Sequence, residues 1–422
     1  MAAARTLADW LAYQQGLHPL TIDLTLERVR AVAARLALLP PAGRTAIVGG
    51  TNGKGSTAAL LASLARAHGA HVGLFTSPHL WRYQERIRID GVEAGAEQLG
   101  AAFAQIEAAR GSETLTYFEF NTLAALLLFR AGGVDTTVLE VGLGGRLDAT
   151  NLVDADVAVL CSVGMDHREW LGETLESIGA EKASIFRPGR PVILGNAHMP
   201  ATVERALAAL ACAPQVAGVD FRWHIHGDGR WDVSLPGASF RDLPPPALPG
   251  EIQYRNAAVA LAALLVLRAP QGLDPAAIAT ALRTVELPGR LQFVPGAVEW
   301  VFDVAHNEAA AAVLAAELRR RPARGRTLAV FGMLGDKDVA AVGAQLDPLI
   351  AHWLLCTPEG PRALPATELQ QRLGAVQGDT ELAGEVSEAT ARAAVRARPG
   401  DRVLVCGSFH TVGPALQARV LY

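Results

Sequence analysis

The chain has 422 residues, 50% of them hydrophobic and 19% charged, with a formal net charge of −4. That length allows two or three packed cores, and the composition is that of a globular protein rather than a disordered or fibrous one. The small negative charge gives no electrostatic reason to expect nucleic acid or an anionic membrane as partner.

The N-terminal stretch "MAAARTLADWLAYQQG" lacks the continuous apolar run of a secretory leader. The longest apolar helix candidate, "AVALAALLVL" at 258–267, is too short to cross a bilayer. Cysteines 161, 212, 356 and 406 form no CxxC, and three of them sit in apolar strand-like runs, which reads as buried thiols rather than disulfides or a metal site. A cytoplasmic protein, monomeric and without a membrane partner, is the expectation.

The first strong strand signal is "TAIVG", followed by the Gly-rich "GTNGKGS" and the helical pattern "STAALLASLARAH". A Gly-rich turn between a buried strand and a helix N-terminus binds phosphate, because free N–H groups and the helix dipole face the anion. The spacing departs from the Walker A pattern: Val48 stands where its first Gly belongs, and Gly55 rather than a hydroxyl residue follows Lys54. A plain turn with a solvent lysine is the competing reading. As a phosphate loop, Asn52, Gly53, Lys54, Gly55, Ser56 and Thr57 would meet the nucleotide, with Lys54 at the β/γ-phosphates.

Further on, "TTVLEVG" and "DVAVLCSVG" repeat the strand signal between helical segments, which predicts an α/β fold with a mostly parallel sheet. Glu140 ends the first of these strands before a Gly turn, the position of a magnesium-binding acid. "GLGGRL" is not a dinucleotide fingerprint, since Leu147 holds the third Gly position. His167 follows Asp166 after the second strand; on spacing alone it is a capped loop histidine. Lys182, in "GAEKASIF", reads equally well as a surface helix lysine. From about 214 to 250 the pattern alternates around Gly-Asp-Gly, predicting a small antiparallel region, then a rigid "LPPPALPG" connector and a helix from about Tyr254.

A boundary near "VELPGRLQFVPG" divides the chain into residues 1–287, a large P-loop ATPase-like domain, and 288–422, a smaller Rossmann-like α/β domain. Within the latter, "VEWVFDVAHN", "TLAVFGML", "HWLLCTP" and "DRVLVCGSF" supply the strands. Asp303 and His306 follow the first, where a carboxylate suits ribose hydroxyls. Arg290 lies on the boundary itself, suited to delivery by domain closure. Phe118 and Phe120 in "TYFEFN" are candidates to stack on a flat ring, with core packing as the rival reading for each.

The string GTNGKGS resembles the phosphate loop of folylpolyglutamate synthases and dihydrofolate synthases, in the Mur-ligase superfamily of ATP-dependent amide-forming enzymes. The likeness continues in order through "TIDLTLERV", "FTSPHLWRYQERIRIDG", "TYFEFNTLAAL", "LEVGLGGRLDATN", "GMDHREWLGETLESIGAEKASIFRPG", "GEIQYRNAA", "LPGRLQ", "DVAHN" and "GSFHTVG". One departure is Ile252, where relatives commonly carry His. The resemblance implies a two-site magnesium centre held by Ser77, Glu140, His167 and a carbamylated Lys182. It gives Asn256, Arg290 and Asp303 to ATP, and Lys54, His167, Lys182 and His306 to catalysis. Phe118, Phe120, Asp148 and Ala149 fall to the pterin, and a monovalent cation such as K+ is a further candidate cofactor.

The implied activity joins L-glutamate to dihydropteroate and to reduced folates through an acyl phosphate, in tetrahydrofolate biosynthesis. The stretch "WLAYQQGLHPLTIDLTLERV" is similar to the N-terminus of the bifunctional bacterial enzymes. A monofunctional folylpolyglutamate synthase is one alternative. A cell-wall Mur ligase is another, although the 46 residues before Ile47 are too few for its UDP-binding domain. A non-enzymatic ATP-binding switch would have no use for Glu140, His167 and Lys182 together.

Overall fold

A computed structural model describes residues 5–41, 43–269 and 271–419. Residues 1–4, the start of the stretch read above for a leader, lie outside the described residues. The largest sheet has eight strands, in the spatial order Val92–Glu93, Ile87–Ile89, Val72–Phe75, Thr136–Glu140, Arg44–Gly49, Val157–Leu160, Val192–Leu194 and Pro214–Val216. From Val72–Phe75 to Pro214–Val216 every neighbouring pair is parallel; only the small edge hairpin runs antiparallel. Arg44–Gly49 is flanked on both sides and covered on both faces, which is why "TAIV" is apolar without alternation.

The helix Lys54–Ala67 packs along Ile252–Arg268. Both are rich in alanine and buried through most of their circumference, so their axes approach closely and join one core with the sheet and the antiparallel region. On the other side, Leu7–Leu17 and Glu27–Arg35 pack with Ala96–Arg110 and Tyr117–Ala131 around Trp10, Phe103 and Phe120. The segment 21–25 between those first two helices is thereby carried to the rim of the sheet.

The antiparallel region is Arg222–Ile225, Trp231–Leu235 and Ala238–Leu243, with Gly229 at φ +85° in the expected Gly-Asp-Gly turn. Its predicted start near 214 is corrected: Pro214–Val216 pairs parallel with Val192–Leu194 as the last strand of the large sheet. The following helix begins at Ile252 rather than Tyr254.

A second sheet orders Gln292–Val294, Glu299–Asp303, Arg402–Cys406, Thr327–Phe331, His352–Thr357 and Asp379–Glu385, all parallel after the first antiparallel pair. All four cysteines are free and buried. Among the described residues no helix is long and apolar enough to cross a membrane.

Candidate active site

The C-terminal ends of strands from both sheets converge on one cleft. Loop 50–53 follows Arg44–Gly49, Glu140 ends its strand and Asp166 follows Val157–Leu160; opposite them stand His306, Lys337 and Phe409, whereas Asp303, at the end of Glu299–Asp303, lines neither lobe. The cleft has a loop lobe of about 100 Å³ and a larger lobe of about 310 Å³, sharing Ser77, Pro78, Gly142, Leu143, His167, His306 and Phe409.

The loop lobe is built on Gly53, which caps the helix Lys54–Ala67 at φ +88°, a backbone state that glycine adopts without strain. The turn aims the first helical N–H groups into the lobe, and Asn52, Gly53, Lys54 and Gly55 all line it. Lys54 folds back, its Nζ donating to the carbonyls of Gly50 and Thr51 at 3.0 and 3.1 Å. Ser56 and Thr57 do not line the lobe. Thr57 is fully buried one turn into the helix, and its hydroxyl accepts from Cys161 Sγ at 3.5 Å. Its expected place against the nucleotide is therefore corrected: the residue faces the core.

Glu140 is 3% exposed and accepts one hydrogen bond, from the Ser77 N–H at 3.0 Å. Burial pushes its carboxyl up, against the Lys54 charge and that hydrogen bond. Lys182 is buried too, and its Nζ donates to the Gly50 carbonyl at 3.1 Å. Burial first, and the Lys54 charge second, bring it down to about 7. His167 holds φ +50°; burial and the Lys337 ammonium depress its imidazole to about 4, so the ring is neutral at pH 7.

The two sides meet at Asp166. Its carboxylate accepts from Lys337 Nζ at 2.6 Å and Asn307 Nδ2 at 3.1 Å, and lies 3.5 Å from His306 Nε2. Burial alone would raise this carboxyl; the His306 hydrogen bond and the charges of His306, His167 and Lys337 hold it well below the usual range. Asn52 and Asn307 exchange a reciprocal pair of side-chain hydrogen bonds, each Nδ2 donating to the other's Oδ1 at 3.0 Å. Sequence reasoning passed over Lys337 and Asn307 and saw Asp166 only as a cap. The charged "GDKD" after "TLAVFGML" was the available signal for Lys337.

Asp303 accepts from the N–H groups of Leu291 and Ala305, both at 2.8 Å; burial raises its carboxyl and nearby Arg290 opposes this. Arg290 lies over the Phe409 ring at 5.2 Å and lines the loop lobe. Asn256 is buried behind the loop, with Oδ1 3.3 Å from where a Cβ on Gly53 would stand.

Two domain models match the chain: the Mur ligase middle domain over residues 48–212, and the Mur ligase glutamate ligase domain over 289–409. The dihydrofolate synthase/folylpolyglutamate synthase of Escherichia coli (strain K12) is 46% identical over 417 residues, 98% of this chain and 96% of that one. The chain belongs to the dihydrofolate synthase/folylpolyglutamate synthase family of Mur ligases. Its fold agrees: E. coli FolC in complex with DHPP and ADP superposes with a TM-score of 0.93 at 44% identity, covering 99% of this chain and 98% of that one. A bifunctional folylpolyglutamate synthase/dihydrofolate synthase with Mn, AMPPNP and L-glutamate bound gives 0.91 at 42% identity, covering 99% of each.

In this family member the larger lobe is lined by 21–25, 116–119, 142–143 and 147–149, and from the other side by Lys337, Arg362 and His410. Phe118 lines it, and its ring so closely approaches Gly142 that a Cβ there would stand 2.7 Å from Phe118 Cζ. Phe120 does not. It is 0% exposed and packs edge-on to Phe103 at 5.6 Å, so the expectation of a ring-stacking Phe120 is corrected to a core residue. Asp148 and Ala149 line the lobe. The Asp148 carboxylate also accepts from the Gly142, Leu143 and Thr150 N–H groups and the Thr150 hydroxyl, which fixes the loop's shape.

Magnesium fits this donor set. Glu140 is a buried oxygen donor with lone pairs to spare, and His167 is neutral. Among the described residues no group of three His, Cys, Asp or Glu would hold a metal by itself. An ammonium at Lys182 does not fit beside a cation, whereas its carbamate would.

Proposed function

We propose that this chain is an ATP-dependent ligase that adds L-glutamate to dihydropteroate and to reduced folates. The carrying observation is the two-lobed cleft, which sets a phosphate-type loop beside a roomy, partly aromatic lobe between two strand-end faces. The family relatives with ADP, AMPPNP, Mn, DHPP or L-glutamate bound support the same substrates here. The second activity rests on the segment 21–25, which reaches the larger lobe.

In this reading the chain works as two domains, 1–287 and 288–422, that close on the substrates. The loop amides of 52–55 and Lys54 take the phosphates, Asn256 supports the loop, Asp303 takes the ribose and Arg290 the terminal phosphates. Ser77, Glu140, His167 and carbamylated Lys182 would hold two magnesium ions, which neutralise phosphate charge when bound. A monovalent cation such as K+ is a further ligand of the proposal. The acceptor, with its ring against Phe118, Asp148 and Ala149, offers a carboxylate oxygen to the γ-phosphorus. The bond from that phosphorus to the β-bridging oxygen breaks, and ADP leaves. The amino group of L-glutamate then attacks the acyl carbon, loses a proton and expels orthophosphate. His306 stands at the shared wall and Lys337 lines the larger lobe beside it, and the two would hold the incoming glutamate. Closure keeps water from the acyl phosphate.

The test is a reaction of purified protein with MgATP, L-glutamate and either dihydropteroate or tetrahydrofolate. Glutamylated product with both acceptors, one ADP for each amide, is expected. Product with tetrahydrofolate alone would leave a monofunctional enzyme, and product with neither would refute the assignment.

A further inference from the structure

Three cations of the larger lobe face the acceptor space: Lys337, Arg362 and Arg86. Lys337 pairs with Asp166 at 2.6 Å, and Arg362 with Asp336 at 3.5 Å. Arg86 has no such partner. It closes the short turn Tyr83–Arg86, is 7% exposed, and pairs with no carboxylate among the described residues. A guanidinium keeps its charge in a protein, so one withdrawn from water calls for an anion.

What does touch Arg86 holds it in place without neutralising it. Its Nε donates to His79 Nδ1 at 2.8 Å, and its guanidinium lies 5.5 Å from the centre of the Tyr117 ring. Because it accepts from the guanidinium, His79 Nδ1 is the ring nitrogen that carries no proton in this contact. A carboxylate in its place would have cancelled the charge; the histidine fixes the direction of the fork and leaves it cationic. Among the described residues the Nη nitrogens make no hydrogen bond, and the residue lines the larger lobe. The acids around that lobe are engaged elsewhere: Asp23 and Glu119 with Arg28, and Asp148 with its own loop.

We propose that Arg86, aimed by His79, binds the carboxylate of the acceptor substrate and so selects a pteroate-type acid over its neutral analogues. This rests on the acceptor assignment made above. A planar two-donor fork facing a carboxylate gives both charge and geometry, and holds the acid near the loop lobe until phosphoryl transfer.

The measurement is calorimetric binding of pteroate and of pteroic carboxamide to the full-length protein with MgADP present. Wild type should favour the acid by about tenfold or more, as expected for a charge-assisted bidentate contact. Arg86→Gln should bind the two ligands alike, with the carboxamide affinity little changed. Arg86→Lys, which keeps the charge and loses the fork, should retain a reduced preference, and it decides the matter if the glutamine variant does not fold. A full preference surviving in either variant, or both ligands weakening equally in Arg86→Gln, would overturn the assignment to Arg86. A wild type that binds neither ligand and forms no acceptor-dependent ADP would instead overturn the acceptor reading and this inference with it.

Discussion

Lys54 and Lys182 donate to one and the same acceptor, the carbonyl oxygen of Gly50, at 3.0 and 3.1 Å. Two ammonium groups converging on one oxygen repel each other, and the more deeply buried of the two bears the cost. Lys182, at about 7, is the one that loses its proton.

A neutral amine beside a phosphate and metal site is the form that captures carbon dioxide. The sign follows from the depressed value: below about pH 7 Lys182 is ammonium and inert, above it the amine is free. Labelled carbon dioxide should therefore give a carbamate carbon signal that grows as pH rises through 7 and is absent in Lys182→Ala. That variant should be nearly inactive and partly rescued by acetate, whereas Lys182→Arg should stay inactive in acetate. Normal turnover by Lys182→Arg would reduce the residue to a structural cation.

Among the described residues a single phosphate-type loop is present, so in the proposed function it serves both acceptors. Lys54→Ala should depress dihydropteroate and tetrahydrofolate glutamylation alike, by about 2–4 kcal/mol in transition-state stabilisation. Steady-state rates with each acceptor check this. One activity left intact would mean a second catalytic centre.

Glu140→Gln keeps the shape of the side chain and the Ser77 contact while removing the charge a hard cation needs. The circular dichroism spectrum should be unchanged, and the magnesium concentration for half-maximal rate should rise. A residual rate indifferent to magnesium would contradict the ligand role.

The two phenylalanines two residues apart should separate cleanly. Phe120→Ala empties a fully buried site and should cost about 3–5 kcal/mol in denaturant unfolding. Phe118→Ala should cost markedly less stability and raise the KM for dihydropteroate with little change in that for ATP. The reverse pattern would return Phe120 to the ligand.

That pair also shows where the sequence stops being informative. Residues i and i+2 of a helix stand about 200° apart, so Phe118 and Phe120 cannot share a face once Tyr117–Ala131 is helical. The same geometry turns Thr57 inward from a loop whose neighbours face the ligand space. By contrast, the phosphate loop and the Glu140 strand end were legible because their geometry is local: strand, turn and helix cap lie within a few consecutive residues. Lys337 meets Asp166 across 171 positions of chain, and Arg86 stands out because it meets no carboxylate among the described residues. No pattern of spacing encodes either. The parallel sheets were readable as apolar runs between helices, yet Pro214–Val216 was misplaced because a three-residue edge strand carries almost no pattern.

The central claim is that the acceptor carboxylate is activated as an acyl phosphate. Dihydropteroate labelled with oxygen-18 in its carboxylate, turned over with MgATP and L-glutamate, tests it by mass spectrometry of the released phosphate. One labelled oxygen should appear in each orthophosphate, formed together with ADP. Unlabelled orthophosphate, or AMP and pyrophosphate with the label in AMP, would contradict the account.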